Sequence, residues 1–129
     1  MDVLRNRRVL IVDDEPLIRL LVADDIEEAG GSTVEAGDGA EAVALLEQGL
    51  DVDALITDIR MPRMDGWTLA ERARALRPDL PVLYVTGYSD VIPRPVPSAR
   101  VLSKPFGTRA VSAALTDVIA ASGRAAAES

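Results

Sequence analysis

The chain has 129 residues, 48% hydrophobic and 27% charged, which is one domain with enough apolar material for a core of its own. It holds no cysteine and no histidine, so thiol and imidazole catalysis, disulfide frameworks and the usual zinc sites are excluded. A formal net charge of −7 argues against a nucleic-acid surface, and every basic residue except Lys104 is arginine.

Short apolar runs alternate with segments of helical period. Residues 8–12 (RVLIV) form an expected strand with little polar alternation, as when both faces are buried. Residues 16–29 follow as a helix with Leu17, Leu20, Leu21 and Ile26 on its expected apolar side, Pro16 in its first turn and Gly30-Gly31 as its stop. A short strand at 33–36 turns through Asp38-Gly39 into a helix at 40–48. Then come a strand at 53–58, a helix at 67–76 closed by Pro78, strands at 80–86 and 99–103, and an amphipathic helix at 108–121 that turns Val111, Leu115, Val118 and Ile119 to one side. Between the fourth and fifth strands Pro93, Pro95 and Pro97 fall at alternate positions, which leaves at most one helical turn around residues 89–92.

This alternation specifies an α/β fold, a doubly wound five-stranded parallel sheet whose fourth helix is short or missing. The domain is expected over residues 1–121, with 122–129 as a disordered tail. No apolar run is long enough to span a membrane. Asp13, Asp14 and Glu15 follow the first strand at once and rule out a signal peptide, so a soluble, cytoplasmic protein is expected.

In open parallel sheets the ligand crevice lies at the carboxyl ends of the strands. Asp13 and Asp14 end the first strand here, Asp58 the third and Thr86 the fourth, and Lys104 follows the fifth. Two like charges about 4 Å apart repel by roughly 4 kcal/mol at a protein-like dielectric, so converging carboxylates need compensation. A hard divalent cation suits all-oxygen ligands, magnesium first and manganese second. Taken singly the same residues have plainer duties: Asp14 as a helix cap, Asp58 as a loop cap, Lys104 as a surface charge. Their joint placement at neighbouring strand ends favours one pocket.

The segments VLIVDDEP, LITDIRMPRMDG, VLYVTGY and VLSKPF, in that order and spacing, resemble the receiver domain of two-component response regulators, the CheY-like group with a flavodoxin-like fold. The resemblance spans residues 8–121. It implies that Asp58 accepts a phosphoryl group from a phosphohistidine on a sensor histidine kinase or histidine phosphotransfer protein. It further implies that Asp13, Asp14, Asp58 and the backbone carbonyl of Arg60 hold Mg²⁺, that Lys104 pairs with phosphoryl oxygens, and that Thr86 hydrogen-bonds the transferred group. Pro105 matches the family's cis peptide after the lysine, and Gly66 its tight turn after the acceptor loop.

Two departures stand out. The family's switch aromatic, three residues before the lysine, is Val101 here, and Tyr88 is a candidate replacement. The degenerate fourth helix resembles a single-domain receiver group. Trp67 is expected chiefly to pack in the core. The resemblance implies a signalling module rather than an enzyme, acting alone through an unidentified downstream protein. A phosphate sink or relay intermediate, and an excised receiver of a hybrid kinase, are the alternatives. A haloacid-dehalogenase-type phosphatase, which needs an acid two residues after its nucleophile, fits poorly: Asp13 is followed there by Glu15, but Asp58 by Arg60.

Overall fold

The computed structural model describes residues 3–87, 94–104, 106–107 and 109–128. Its elements in chain order are β1 (Arg8–Val12), α1 (Pro16–Glu28), β2 (Ser32–Ala36), α2 (Gly39–Glu47), β3 (Ala54–Asp58), α3 (Gly66–Leu76), β4 (Val82–Thr86), β5 (Arg100–Ser103) and α4 (Ala110–Glu128). All strand pairs are parallel and the sheet order is β2-β1-β3-β4-β5. The chain therefore winds one way from β1 to β2 and the other way from β3 to β5, which puts the topological switch point between β1 and β3.

Alternation along the strands splits the core into two layers. Leu10, Val12, Leu55, Val82 and Tyr84 pack with α2 and α3, while Val9, Ile11, Ile56, Leu83 and Val85 pack with α1 and α4. Every residue of β3 and β4 is buried, as a central parallel strand covered on both faces requires. Two helix starts are fixed by side-chain caps. Asp38 accepts from the Glu41 amide at 2.8 Å, and Asp65 accepts from the Thr68 amide at 2.8 Å. Pro16 occupies the first turn of α1.

The buried stripe of α1 differs from the expected one. Ile26 is buried as expected, but Leu17, Leu20 and Leu21 are 67%, 52% and 52% exposed, and the core takes Val22 and Ala23 in their place with Ile18 partly buried beside them. Ile18, Val22 and Ile26 fall at i, i+4 and i+8, a stripe that the bulkier leucines obscure in the sequence. Changing both Leu20 and Leu21 to Ser is expected to move stability by no more than about 0.5 kcal/mol, whereas Ile26→Ala should cost about 2–5 kcal/mol in urea denaturation.

The last helix buries Val111, Leu115, Val118 and Ile119, as expected. Its bounds run to Glu128, past residue 121 where the sequence reading ends the helix. Ala125, Ala126 and Ala127 supply strong helix propensity there. Helix α4 is fourth in chain order and follows β5. Between β4 and β5 no described residue is helical, in keeping with Pro95 and Pro97, and the turn expected at 89–92 lies outside the described residues. Among the described residues no helix is long and apolar enough to cross a membrane.

Candidate functional site

The parallel register brings the polar strand ends together. Val12 pairs with Thr57, Asp58 with Val85 and Thr86 with Ser103, so Asp13, Asp58, Thr86 and Lys104 stand at one edge of the sheet. One carboxylate oxygen each from Asp13, Asp14 and Asp58 lie within 4.8 Å of one another. Asp13 and Asp58 are buried at 2% and 4% exposure, and Asp14 faces solvent. The Lys104 Nζ lies 3.2 Å from Asp58 Oδ2 and 3.5 Å from Asp13 Oδ2.

Each buried acid is oriented by the backbone. Asp58 Oδ1 accepts from the Ile59 amide at 2.6 Å, and Asp13 Oδ1 accepts from the Glu15 amide at 2.9 Å. Both Oδ2 atoms are left to the lysine side of the pocket. The Lys104 amide donates to the Thr86 carbonyl at 2.6 Å, tying the lysine to the end of β4. Thr86 is itself buried, and Arg60 lies in the loop two residues after Asp58 with its side chain exposed. Pro105 and Tyr88 lie outside the described residues.

Burial pushes the Asp13 carboxyl above its ordinary value. The Glu15 amide opposes that rise, the Asp58 charge adds to it, and Lys104 offsets part of it. A raised pKa means that the folded chain holds this proton more tightly than the unfolded chain does. The contribution of Asp13 to stability therefore falls as pH rises from 3.8 through the raised value, and its ionised form weighs against the fold at neutral pH. For Lys104, burial works against the ammonium, but the charges and hydrogen bonds of Asp13 and Asp58 outweigh it and raise its pKa. That stabilisation is present below 10.5 and is lost as pH rises through the raised value.

Several supporting residues carry no motif of their own. Arg19, on the first turns of α1, donates from Nη1 to the Asp13 carbonyl at 2.8 Å and pairs through Nε with Glu35 at 3.0 Å. The loop after Asp58 is pinned to α2 by Arg63, which reaches Asp38 Oδ2 at 3.2 Å with its own backbone at φ 68°. Gly66 donates its amide to the Ile59 carbonyl at 2.8 Å and lies against the Asp58 carbonyl, where a Cβ would also meet Ile59 Cα at 2.9 Å. Space, more than turn geometry, demands this glycine. Trp67 is buried as expected, its ring centroid 4.5 Å from that of Tyr84.

Residues 9–116 match the family model of the response regulator receiver domain. The chain belongs to that family. The receiver is 36% identical over 107 residues to the response regulator receiver protein CpdR of Brucella abortus, covering 80% of this chain and 88% of that relative. It is 31% identical over 123 residues to the sensor kinase CckA of the same organism, where the match covers 92% of this chain but spans only 13% of the kinase. Its fold is similar to a crystal structure of a response regulator receiver protein from Sinorhizobium medicae, with a TM-score of 0.84 and 29% identity over 91% of this chain and 97% of that one. A receiver of this family is a signalling module of two-component phosphorelay systems, and its acidic cluster is able to hold a metal ion.

Proposed function

We propose that Asp58 accepts a phosphoryl group from a phosphohistidine borne by a sensor histidine kinase or histidine phosphotransfer protein, in a Mg²⁺-dependent reaction. The observation that carries this reading is the differentiation of the two Asp58 oxygens. Oδ1 is held by the Ile59 amide, while Oδ2 faces the chain's only lysine at 3.2 Å. Oδ2 is thus the oxygen placed to form the new O–P bond as the P–N bond to the donor imidazole breaks. Lys104 meets the charge that spreads over the phosphoryl oxygens, and Thr86 offers its hydroxyl to one of them after transfer.

The donor set fits magnesium: carboxylates of Asp13, Asp14 and Asp58 converge, all oxygen and one of them solvent-facing. The Arg60 carbonyl completes the proposed ligand set. When bound, Mg²⁺ supplies charge neutralisation for the phosphoryl group. Saturating Mg²⁺ at about 100 times its Kd is therefore expected to stabilise the chain by about 2.7 kcal/mol, visible as a raised Tm. Asp13→Asn should lose most of that gain. An equal Tm rise in Asp13→Asn would remove Asp13 from the ligand set.

Partner contact is supported by the surface beside the site. Leu17, Leu20 and Leu21 stand exposed on α1, and Leu21 lines a cavity of about 290 Å³ with Phe106 and Arg109. A cytoplasmic receiver acting through protein contact, without DNA or membrane, is the reading we favour, and the near-full-length match to CpdR supports it. The second reading, a sink or relay intermediate, is favoured by one observation: Val101 stands 40% exposed where the family's switch aromatic is expected.

The test is stoichiometry with two phosphodonors. With acetyl phosphate and Mg²⁺ the receiver should stop at one phosphoryl per chain, and with p-nitrophenyl phosphate it should show no sustained turnover. Continuous hydrolysis would replace the receiver chemistry with that of a phosphatase.

A further inference from the structure

The departure at Val101 leaves open how the state of Asp58 reaches the surface. Val101 pairs in register with Tyr84 of β4, two residues before Thr86. Tyr84 is fully buried, and its ring packs on Trp67 with a 56° interplanar angle. Its hydroxyl oxygen accepts from the Val96 amide at 3.1 Å, which ties β4 to the crossover. Val96 is itself buried at 8% exposure and belongs to the same core layer as Trp67 and Tyr84.

A second grip holds the same crossover residues. Arg94 donates from Nη2 to Thr68 Oγ1 at 3.2 Å, and the same nitrogen lies 3.8 Å from both Asp65 and Glu71. Those three residues are the cap and the first turns of α3. The start of α3 is in turn fixed to the acceptor loop, because Gly66 lies against the Asp58 carbonyl and bonds Ile59. Packed interiors transmit displacement because they leave no slack. A contiguous chain therefore runs from Asp58 through Gly66 and Trp67 to Tyr84 and Val96.

We propose that Tyr84 is a positioning residue that couples the acceptor loop to the Arg94–Val96 stretch of the crossover, taking over from a fixed place on β4 the task that a mobile aromatic on β5 performs elsewhere in the family. The proposal rests on the acceptor reading above and deepens it. Phosphorylation of Asp58 shifts the Gly66–Trp67 corner, Trp67 shifts against Tyr84, and the Val96 bond and the Arg94 grip change together. The crossover surface then differs between the two states, which is what a downstream protein reads.

The test is amide exchange at Val96, followed by NMR with and without acetyl phosphate and Mg²⁺, with intact mass taken on the same samples. Tyr84→Phe keeps the ring on Trp67 and removes only the acceptor of the Val96 amide. In the wild type, phosphorylation is expected to change Val96 exchange by about tenfold or more. In Tyr84→Phe the adduct should form as before, while Val96 exchanges about tenfold faster at rest and no longer responds. Should Tyr84→Phe fail to fold, Arg94→Ala at the surface carries the same expectation with a smaller effect. A wild-type adduct with unchanged Val96 exchange, or a variant that responds like the wild type, overturns the coupling and leaves the acceptor reading standing. Absence of an adduct on every chain overturns both.

Discussion

Asp58→Asn is expected to take up no phosphoryl group from acetyl phosphate and Mg²⁺, while the wild-type chain takes up one. The amide is nearly isosteric and keeps an oxygen for the Ile59 amide, so the loop should hold its shape. What it loses is the carboxylate oxygen beside Lys104, 3.2 Å away in the wild type, and with it the proposed nucleophile. No neighbouring acid is an equivalent substitute. The Asp13 Oδ2 lies farther from the ammonium at 3.5 Å, and burial raises its pKa above that of an ordinary carboxylate. Intact mass spectrometry reads the result directly, and equal adducts on both chains would move the acceptor elsewhere.

Gly66→Ala should be the most damaging alanine substitution among the described glycines. Its new Cβ would overlap the Asp58 carbonyl oxygen and come within 2.9 Å of Ile59 Cα, both of them backbone atoms that have no rotamer to escape into. Relief requires the acceptor loop to move away from α3, at a cost of roughly 3 kcal/mol, the upper end of ordinary overpacking. Because the displaced atoms belong to Asp58 and Ile59, phosphoryl uptake should slow as well. Gly107→Ala, whose Cβ meets nothing within 4 Å, serves as the control and should shift the urea midpoint by no more than about 0.5 kcal/mol equivalent. Equal midpoints for the two variants would show that the loop is not held as tightly as this contact implies.

The strand ends were legible in the sequence because parallel strands buried on both faces read as bare apolar runs, and each run stops at or beside a candidate site residue. RVLIV stops before Asp13, DALITD ends on Asp58, and LPVLYVT ends on Thr86. The three carboxylates and the lysine came together as those ends required. The stripe of α1 was not legible, since hydrophobicity ranks Leu17, Leu20 and Leu21 above the smaller Val22 and Ala23 that the sheet accommodates. Arg19 was missed because its contact is with a backbone carbonyl six positions earlier, which no side-chain motif records. A basic residue one turn into a helix that follows an acidic pair is the signal that pointed to it. Tyr84 was hidden for a different reason. Within an apolar strand its ring reads as core, and only the fold shows that its hydroxyl reaches Val96.

The proposed chemistry puts the phosphoryl group on one carboxylate, that of Asp58. Reducing the acetyl-phosphate-treated receiver with borohydride converts an aspartyl phosphate to the corresponding alcohol, and peptide sequencing then locates the altered residue. The proposed acceptor chemistry predicts one modified position per chain, at Asp58. Modification at Asp13 or Asp14, or at no position, would contradict it.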